Sequence, residues 1–313
     1  MNDRIVFEDV SKFYGEVLGV NRVSLSIPPG ITTLVGPNGA GKTTVMNLMT
    51  GLIQPSSGRL SVLGLTPADA LEFFSAVGYC TQFDFFPRGI TGWQFILDSL
   101  LLHGMEKEMA VDLTIQALER VQLGDAAHRK VAGYSKGMRQ KIRLAQSIAH
   151  HPRVLVLDEP LNGLDPMARA ESIALFEELG RQGMHVIISS HILDEVDRIS
   201  DRVILITGGY LIAEGNIHQV RQEVHEKPMQ VLVRCDHPEL LASKMFSINH
   251  CVEARLHADG KGVFLRTSDI DEFYSKLNGI AADGLVKIDA VAAADDDANA
   301  IYQYLIGTDG SAS

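Results

Sequence analysis

Short apolar segments alternate with amphipathic segments along the first two thirds of the chain. Arg4 to Val10 alternates apolar and polar residues, which predicts a half-exposed strand, and Val17 to Ile27 predicts a second strand. Ile31 to Val35, Val154 to Leu157 and Val186 to Ser190 are short and largely apolar, which is typical of buried strands such as those of a parallel sheet. The pattern therefore predicts an α/β fold.

Helical periodicity fills the segment between two of these buried strands. Gly92 to His103, Lys107 to Val121 and Met138 to Ala149 carry apolar residues at helical spacing. They predict a mainly helical insertion at about residues 88–150. Further strands are predicted at Leu60 to Leu63, at Val77 to Cys80, and on both sides of the glycine pair Gly208-Gly209, at Val203 to Thr207 and Tyr210 to Glu214.

The composition changes after about Gln222, and His225 to Pro228 has the character of a linker. The elements predicted beyond it follow the order strand, helix, strand, strand, helix, strand and helix, which indicates a small α+β domain with a split β-α-β plan. We therefore predict one domain at residues 1–222, a second at residues 229–307, and a disordered tail at residues 308–313.

Length, charge and cysteine content limit the possible functions. A chain of 313 residues with 46% apolar content can hold one large and one small domain. The net charge of −11 argues against a general affinity for nucleic acid or anionic lipid. Three widely spaced cysteines without metal-binding spacing indicate reduced thiols in a cytosolic protein. The N-terminus leads directly into a strand, so no signal peptide is expected, and no apolar run approaches the ~20 residues of a membrane helix.

The strongest local motif is a glycine-rich loop between a predicted strand and a predicted helix. Gly36-Pro37-Asn38-Gly39-Ala40-Gly41-Lys42-Thr43-Thr44 fits the pattern G-x-x-x-x-G-K-[ST] at every fixed position. Glycines let backbone N–H groups approach a phosphate closely, and the helix N-terminus favours an anion. Lys42 is expected to reach the β- and γ-phosphates, and the Thr43 hydroxyl to bind Mg²⁺. The alternative is an ordinary glycine-rich turn, which the complete match in this context disfavours.

Polar side chains also follow the other buried strands. Asp158 and Glu159 come directly after Val154 to Leu157, at the sheet edge where ligands bind in parallel α/β folds. An aspartate at that edge is the expected partner of a magnesium–phosphate group. His191 follows Val186 to Ser190 at the same edge, and by pattern alone it suits a structural role as well as a functional one.

Three further features remain ambiguous by pattern alone. Tyr14 lies in the predicted turn between the first two strands, where a packing role is the simpler explanation. Ser135 has the character of a helix N-cap, and such a cap can also form an anion site. The aromatic residues of Phe83-Asp84-Phe85-Phe86 lie in a loop, where they form either a small core or a contact with another protein.

Taken together and in this order, the motifs resemble those of the ATP-binding subunits of ABC transporters, over roughly Ile5 to Ile217. The resemblance implies that ATP is held between two copies of the chain, which hydrolyse it to ADP and phosphate. It implies that Tyr14 stacks on adenine, that Gly36, Asn38, Gly39, Ala40, Gly41, Lys42, Thr43 and Thr44 bind the phosphates, and that Thr43, Gln82 and Asp158 contact Mg²⁺. It assigns catalytic roles to Lys42, Gln82, Glu159 and His191, and places Ser135, Gly137 and Asp165 against the nucleotide from the signature loop and the D-loop.

The same resemblance implies a fold and a set of partners. The fold is that of a P-loop NTPase of the ABC ATPase type, with an antiparallel N-terminal β subdomain and a helical insertion, beside the small α+β domain. The expected partners are a second copy of the chain and a membrane-spanning permease, which would hold this cytoplasmic protein on the inner face of the membrane. The loop Phe83 to Phe86 and the helical insertion lie where the family contacts the permease, which favours the contact interpretation of the aromatics.

One motif departs from the pattern of the family. The usual signature is Leu-Ser-Gly-Gly-Gln, whereas Tyr134, Lys136 and Met138 occupy its first, third and fifth positions here. This variant resembles the branch of bacterial exporters that move drugs, lipids or polysaccharides, and that branch often carries a small C-terminal domain. A thioether at Met138 cannot make the hydrogen bonds of a glutamine.

The sequence disfavours two other functions. A soluble ABC ATPase that acts on nucleic acid or the ribosome is disfavoured by the acidic balance, the single cassette and the lack of zinc-binding cysteines. A nucleotide-binding regulator without turnover is disfavoured because Lys42, Asp158, Glu159 and His191 are all present.

Overall fold

Hydrophobic residues are divided between two units of the chain, Met1–Glu214 and Gly215–Ser313, each with its own core. The structure is a computed structural model that describes residues 3–82, 85–190, 199–200, 202–216, 229–246, 251–257, 259–267 and 269–293. The predicted domain boundary at residue 222, the linker His225 to Pro228 and the tail at residues 308–313 lie outside the described residues. Phe83 and His191 also lie outside them.

A six-stranded sheet forms the centre of the first unit. Its strands are β3 (Gly30–Val35), β5 (Val77–Cys80), β6 (Val154–Leu157), β7 (His185–Ser190), β8 (Arg202–Thr207) and β9 (Tyr210–Asn216). They lie in the order β5-β6-β7-β3-β8-β9, and the first five are parallel to one another. All residues of β6 and β7 are buried, as their continuous apolar character predicts. The expected α/β fold is confirmed.

A second sheet of the first unit is antiparallel. It contains β1 (Ile5–Tyr14), β2 (Val17–Ile27) and β4 (Ser57–Val62) in the order β2-β1-β4. The strand predicted to end at Val10 continues to Tyr14, which pairs with Val17 instead of lying in the turn. The reason is a series of register irregularities between Phe7 and Phe13, which interrupts the alternation of apolar and polar residues.

Helices surround the six-stranded sheet or form the insertion. They are α1 (Lys42–Met49), α2 (Ala70–Ala76), α3 (Gly92–Leu102), α4 (Lys107–Arg120), α5 (Lys136–Ile148) and α6 (Pro166–Arg181), with short 3₁₀ turns at Gly124–Ala126 and Val131–Gly133. The sequence did not predict α2, because about two turns with only Phe73 and Ala76 buried carry little periodicity. None of the helices among the described residues is long and apolar enough to cross a membrane.

The helical insertion has a core of its own. Residues of α3, α4 and α5 form one buried cluster that includes Ile96, Leu118 and Ile142. Phe86 packs against this cluster, with its ring centroid 5.0 Å from that of Phe95, so the contact interpretation of the loop aromatics is wrong for Phe86. Phe85 is 83% exposed and takes no part in that core.

The second unit is a small antiparallel sheet with helices. Its elements are β10 (Met229–Cys235), α7 (Pro238–Phe246), β11 (Cys251–Leu256), β12 (Gly262–Thr267), α8 (Ile270–Ala282) and β13 (Ile288–Ala293). The strands lie in the order β11-β12-β10-β13, so β12 separates the two strands that α7 connects, which is the split β-α-β arrangement. Val233, Leu241 and Phe273 are buried in its core. The helix predicted near its end, Ala298 to Leu305, lies outside the described residues.

A histidine pair lies where the insertion meets the sheet. His150 is 8% exposed, its Nε2 lies 3.2 Å from the carbonyl oxygen of Val77, and its ring stacks on His103 with the centroids 4.5 Å apart. Burial, with a smaller contribution from His103, lowers the pKa of His150 to about 4. His150 is therefore neutral in the folded protein at pH values at which an unfolded chain binds a proton.

We predict that this histidine makes folding sensitive to acid. The folded pKa lies below the ordinary value near 6.5, so its contribution to stability is full above pH 6.5 and is lost as the pH falls toward 4. The loss reaches about 3 kcal/mol, at roughly 1.4 kcal/mol for each pKa unit. Denaturant titrations between pH 7 and pH 4 measure it, and His150→Gln, which can still donate to Val77, is expected to give a flatter dependence. Parallel curves for the two proteins would contradict the prediction.

Candidate functional site

The carboxyl ends of four parallel strands meet at one edge of the large sheet. Val35 at the end of β3 lies opposite Ser190 of β7, and Cys80 at the end of β5 lies opposite Leu157 of β6. The residues that follow these strands are therefore brought together, as in other α/β folds that bind ligands at this edge. They are the loop from Gly36 to Gly41, Gln82, Asp158 and Glu159.

The glycines of the loop are required by its geometry. A Cβ atom at Gly36 would lie 2.2 Å from the carbonyl oxygen of Ile206, and one at Gly41 would lie 2.7 Å from that of Gly19. Gly39 and Gly41 have φ angles of 80° and 108°, which side chains disfavour. Gly41 is the N-cap of α1, so Asn38, Ala40 and these glycines lead the backbone into a helix N-terminus that can face an anion.

Lys42 begins α1 and is held inside the loop. Its side chain is nearly buried, and Nζ donates to the carbonyl oxygens of Gly36 at 2.6 Å and Pro37 at 3.1 Å. Burial lowers the pKa of Lys42, while the nearby Glu159 and Asp158 carboxylates act in the opposite direction. The loop thus holds a cation beside two anions, at the place where phosphate charge is expected.

Asp158 connects the phosphate loop with the neighbouring strands. Its Oδ2 accepts a hydrogen bond from Thr43 Oγ1 at 3.2 Å, its Oδ1 accepts one from Ser189 Oγ at 2.7 Å, and its N–H donates to the carbonyl oxygen of Cys80 at 3.0 Å. The carboxylate is 4% exposed, so these bonds offset the cost of burying it.

The oxygen atoms of Thr43 and Asp158 fit a magnesium ion. Mg²⁺ prefers oxygen ligands and is commonly held by one or two carboxylates together with phosphate oxygens. Among the residues that the structure describes, no group of three or more His, Cys, Asp or Glu side chains could hold a metal by itself. With one hydroxyl and one carboxylate from the protein, the other ligands of a bound Mg²⁺ would be phosphate and water oxygens.

Glu159 is oriented from three directions. Its backbone has a φ angle of 47°, which is uncommon for a residue other than glycine. Its N–H donates to Ser189 Oγ at 2.7 Å, and its Oε2 accepts from Gln82 Nε2 at 3.0 Å and from Asn162 Nδ2 at 3.2 Å. The side chain of Gln82, predicted to reach Mg²⁺, thus contacts Glu159 in this structure.

Sequence reasoning missed Ser189 and Asn162. Ser189 is 1% exposed and bridges the Asp158 carboxylate and the Glu159 N–H. A hydroxyl near the carboxyl end of an apolar strand was the available signal, because a buried polar group needs a partner. Asn162 follows Glu159 by three residues, in a turn whose geometry the sequence alone does not define.

Tyr14 lies beside the start of α1. Its hydroxyl is 3.5 Å from Thr44 Oγ1, and its ring is 45% exposed, with Lys12 Nζ 5.5 Å from the ring centroid. An aromatic ring that is nearly half exposed is not a core residue. Its position next to the phosphate loop leaves the ring available to a flat ligand.

The remaining predicted residues lie at the N-termini of α5 and α6. Ser135 is the N-cap of α5 and accepts a hydrogen bond from the Met138 N–H at 3.2 Å, and Gly137 lies in the first turn. Asp165 is the N-cap of α6 and accepts from the N–H groups of Met167 and Ala168 at 3.1 and 2.9 Å. Within one chain Ser135 and Asp165 serve as helix N-caps.

Comparison with known proteins gives matches over most of the chain. A family model described as ABC transporter matches residues 20–162. Nod factor export ATP-binding protein I of Rhizobium etli is 31% identical over 278 residues, which cover 87% of this chain and 85% of that protein. The bacitracin transport ATP-binding protein BcrA of Enterococcus faecalis is 34% identical over 218 residues, which cover 69% of this chain and 70% of that protein.

A solved structure shares the fold of most of this chain. It is described as the ATP binding subunit of an ABC transporter, and it is similar with a TM-score of 0.65 at 24% identity, covering 71% of this chain and 93% of that one. The two relatives and the solved structure are all named as ATP-binding proteins.

We predict that Ser189→Ala slows the hydrolysis of a bound nucleotide much more than it weakens nucleotide binding. Without the hydroxyl, Asp158 and the Glu159 N–H each lose a partner, and a catalytic group misplaced by about 1 Å can cost ~10²-fold in rate. Single-turnover hydrolysis and equilibrium binding measure the two effects. Ser172→Ala removes a buried hydroxyl that bonds only within α6 and is the matched control. Equal rates for the two variants would exclude this role for Ser189.

Proposed function

The chain belongs to the ATP-binding subunits of ABC transporters, a family that hydrolyses ATP, and we propose that it powers a separate permease that exports its substrate across a membrane. The group formed by Lys42, Thr43, Asp158 and Glu159 is the observation that carries the ATPase role. The exporter role rests on the relatives named for Nod factor export and bacitracin transport, and on the variant signature loop. The alternative of a soluble ATPase acting on nucleic acid or the ribosome is not favoured by these relatives.

ATP binding is proposed to use the phosphate loop and the exposed ring of Tyr14. The loop from Gly36 to Gly41 and the N-terminus of α1, including Thr44, offer N–H groups to the phosphates, and Lys42 adds a positive charge. Tyr14 would stack on adenine. Thr43 and Asp158, with Gln82, would hold Mg²⁺, which when bound neutralises charge on the phosphates.

Glu159 is proposed to act on the attacking water. Its carboxylate would accept a proton from the water or polarise it, and Gln82, Asn162 and Ser189 keep it in one orientation. Catalysis then depends mainly on position and charge, as is usual for phosphoryl transfer. His191, proposed to position the γ-phosphate, lies outside the described residues.

The complete site is proposed to need a second copy of the chain. Ser135 and Gly137 of one copy would face the γ-phosphate held by the other, with Asp165 near the shared surface. The N-terminus of α5 supports this proposal, because a helix N-terminus attracts an anion. One chain supplies both halves of the contact, so two copies can form two equal sites related by a two-fold axis.

The permease is proposed to contact the helical insertion. Phe85, just before the insertion, is 83% exposed, and Leu102, at the end of α3 within the insertion, is 89% exposed. Large exposed apolar side chains of this kind suit a contact with another protein. Such a contact would place the protein on the inner face of the membrane.

The small domain is proposed to be a dimerisation or regulatory module. All assigned nucleotide-contacting residues precede the second unit, which has its own core around Val233 and Phe273. A module that joins two copies would raise the effective concentration of the second ATPase domain, to roughly millimolar for a short link.

We predict that Glu159→Gln and Lys42→Ala separate hydrolysis from binding. Glu159→Gln keeps the side-chain size but cannot accept a proton, so turnover should fall ~10²–10⁴-fold while ATP still binds. Lys42→Ala should abolish tight ATP binding, because the cation at the phosphates is lost. Equilibrium titration with ATP and a phosphate-release assay measure both variants. Unchanged ATP affinity in Lys42→Ala, or rapid turnover in Glu159→Gln, would remove these assignments.

We predict that two adjacent aromatics respond differently to the same substitution. Phe85→Asp should leave the melting temperature and basal ATP hydrolysis nearly unchanged and abolish the stimulation of hydrolysis by the permease, because only an exposed contact is altered. Phe86→Asp should destabilise the insertion, since it places a charge against a packed core. Thermal unfolding and ATPase assays with and without the permease distinguish the two. Full stimulation in Phe85→Asp would show that the permease contacts another surface.

A further inference from the structure

A buried polar network joins helix α5 to the segment that precedes Gln82. Arg143, in α5, is 9% exposed, and its Nη1 donates to the carbonyl oxygen of Thr81 at 2.9 Å. Its Nη2 donates to Oε1 of Gln140, one turn earlier in the helix. The Nε2 of Gln140 in turn lies 3.7 Å from the Cys80 sulfur. One face of α5 therefore contacts the end of β5 at two points, the backbone carbonyl of Thr81 and the side chain of Cys80.

The residues held in this way lead directly to the catalytic group. The carbonyl oxygen of Cys80 accepts the hydrogen bond of the Asp158 N–H at 3.0 Å. Gln82, which follows the Thr81 carbonyl, donates to Glu159 at 3.0 Å. Arg143 is thus bonded to the carbonyl of the residue immediately before Gln82, and Gln82 is the residue that donates to Glu159.

The N-terminal end of α5 carries the signature loop. Ser135 caps the helix, and Arg143 lies about two turns further along it. A helix moves as a rigid body over this length, so a displacement of its N-terminus displaces Arg143 as well. The two donors of a guanidinium have fixed geometry, so Arg143 transmits such a displacement to the Thr81 carbonyl more faithfully than a flexible ammonium would.

We propose that Arg143 is a positioning residue for ATP hydrolysis, which couples the position of α5 to the orientation of Gln82 and, through it, of Glu159. The proposal rests on the roles proposed above for Gln82 and Glu159. Burying a guanidinium is costly unless its hydrogen bonds are well made. The hydrogen bond from Nη1 holds the Thr81 carbonyl, and with it the backbone that leads into Gln82.

A double-mutant cycle tests the proposal with the full-length chain. Arg143→Met keeps the length and bulk of the side chain and removes both donors. It should lower kcat about tenfold, within the range that small misplacements cause, and leave the KM for ATP within a factor of two. In a Gln82→Ala background, Arg143→Met should have little further effect, because the residue through which it acts is gone. Lys141→Met is the matched control, since Lys141 lies on the same helix and pairs with Glu171 at 2.6 Å; it should keep the wild-type kcat.

Arg143→Lys supplies the second variant. It keeps the charge but offers a single point donor, so it should recover part of the lost kcat. If Arg143→Met does not fold, the same double-mutant cycle is measured with Arg143→Lys and Gln82→Ala. A kcat that falls by the same factor with Gln82 present and absent would overturn the positioning role and leave the proposed function intact. A Gln82→Ala variant with wild-type kcat would instead refute the role of Gln82 on which the proposal depends.

Discussion

The buried carboxylate of Asp158 is the constraint on which the rest of the site depends. A carboxylate that is 4% exposed is stable only if several donors surround it, and here they come from the phosphate loop and from β7. These donors lie within reach because β3, β6 and β7 are parallel neighbours in register. The chemistry of the site therefore requires this sheet topology, because a different strand order would remove the donors that surround Asp158.

The charges of the site are arranged around the same point. Lys42 is nearly buried, which lowers its pKa, and the Asp158 and Glu159 carboxylates oppose that effect. A buried cation beside two buried or half-buried anions is favourable only at short distance and in fixed geometry. The loop carbonyls of Gly36 and Pro37 fix the cation, and Ser189 and Gln82 fix the anions. Hydrogen bonds thus hold the charged groups on both sides of the place where phosphate is expected.

Local sequence pattern predicted the parts of the structure that local physics determines. The apolar strands, the helices of the insertion and the glycine loop could all be placed from periodicity and from the backbone demands of Gly36 and Gly41. The extension of β1 to Tyr14 could not, because bulges interrupt its alternation, and α2 was too short to show a period. Phe86 and Ser189 were misjudged or missed because their partners, Phe95 and Asp158, lie in other segments of the fold, which local periodicity does not bring together. Pattern identifies which residue types are present, whereas tertiary contacts decide which of them meet.

The unusual first residue of the signature loop is explained by the insertion. Tyr134 is 3% exposed, and its hydroxyl donates to the carbonyl oxygen of Ala126 at 2.7 Å. A Cβ atom at Gly92 would lie 2.3 Å from that hydroxyl, so the tyrosine needs a glycine at the start of α3. The loop before Ser135 is therefore fastened to the core of the insertion, while Arg143 fastens the same helix to the end of β5. Helix α5 is thus held at Tyr134, which is bonded to the insertion, and at Arg143, which is bonded to the end of β5. A rotation of the insertion relative to the sheet would strain one of these two attachments. The attachment at Arg143 lies next to Gln82, which donates to Glu159.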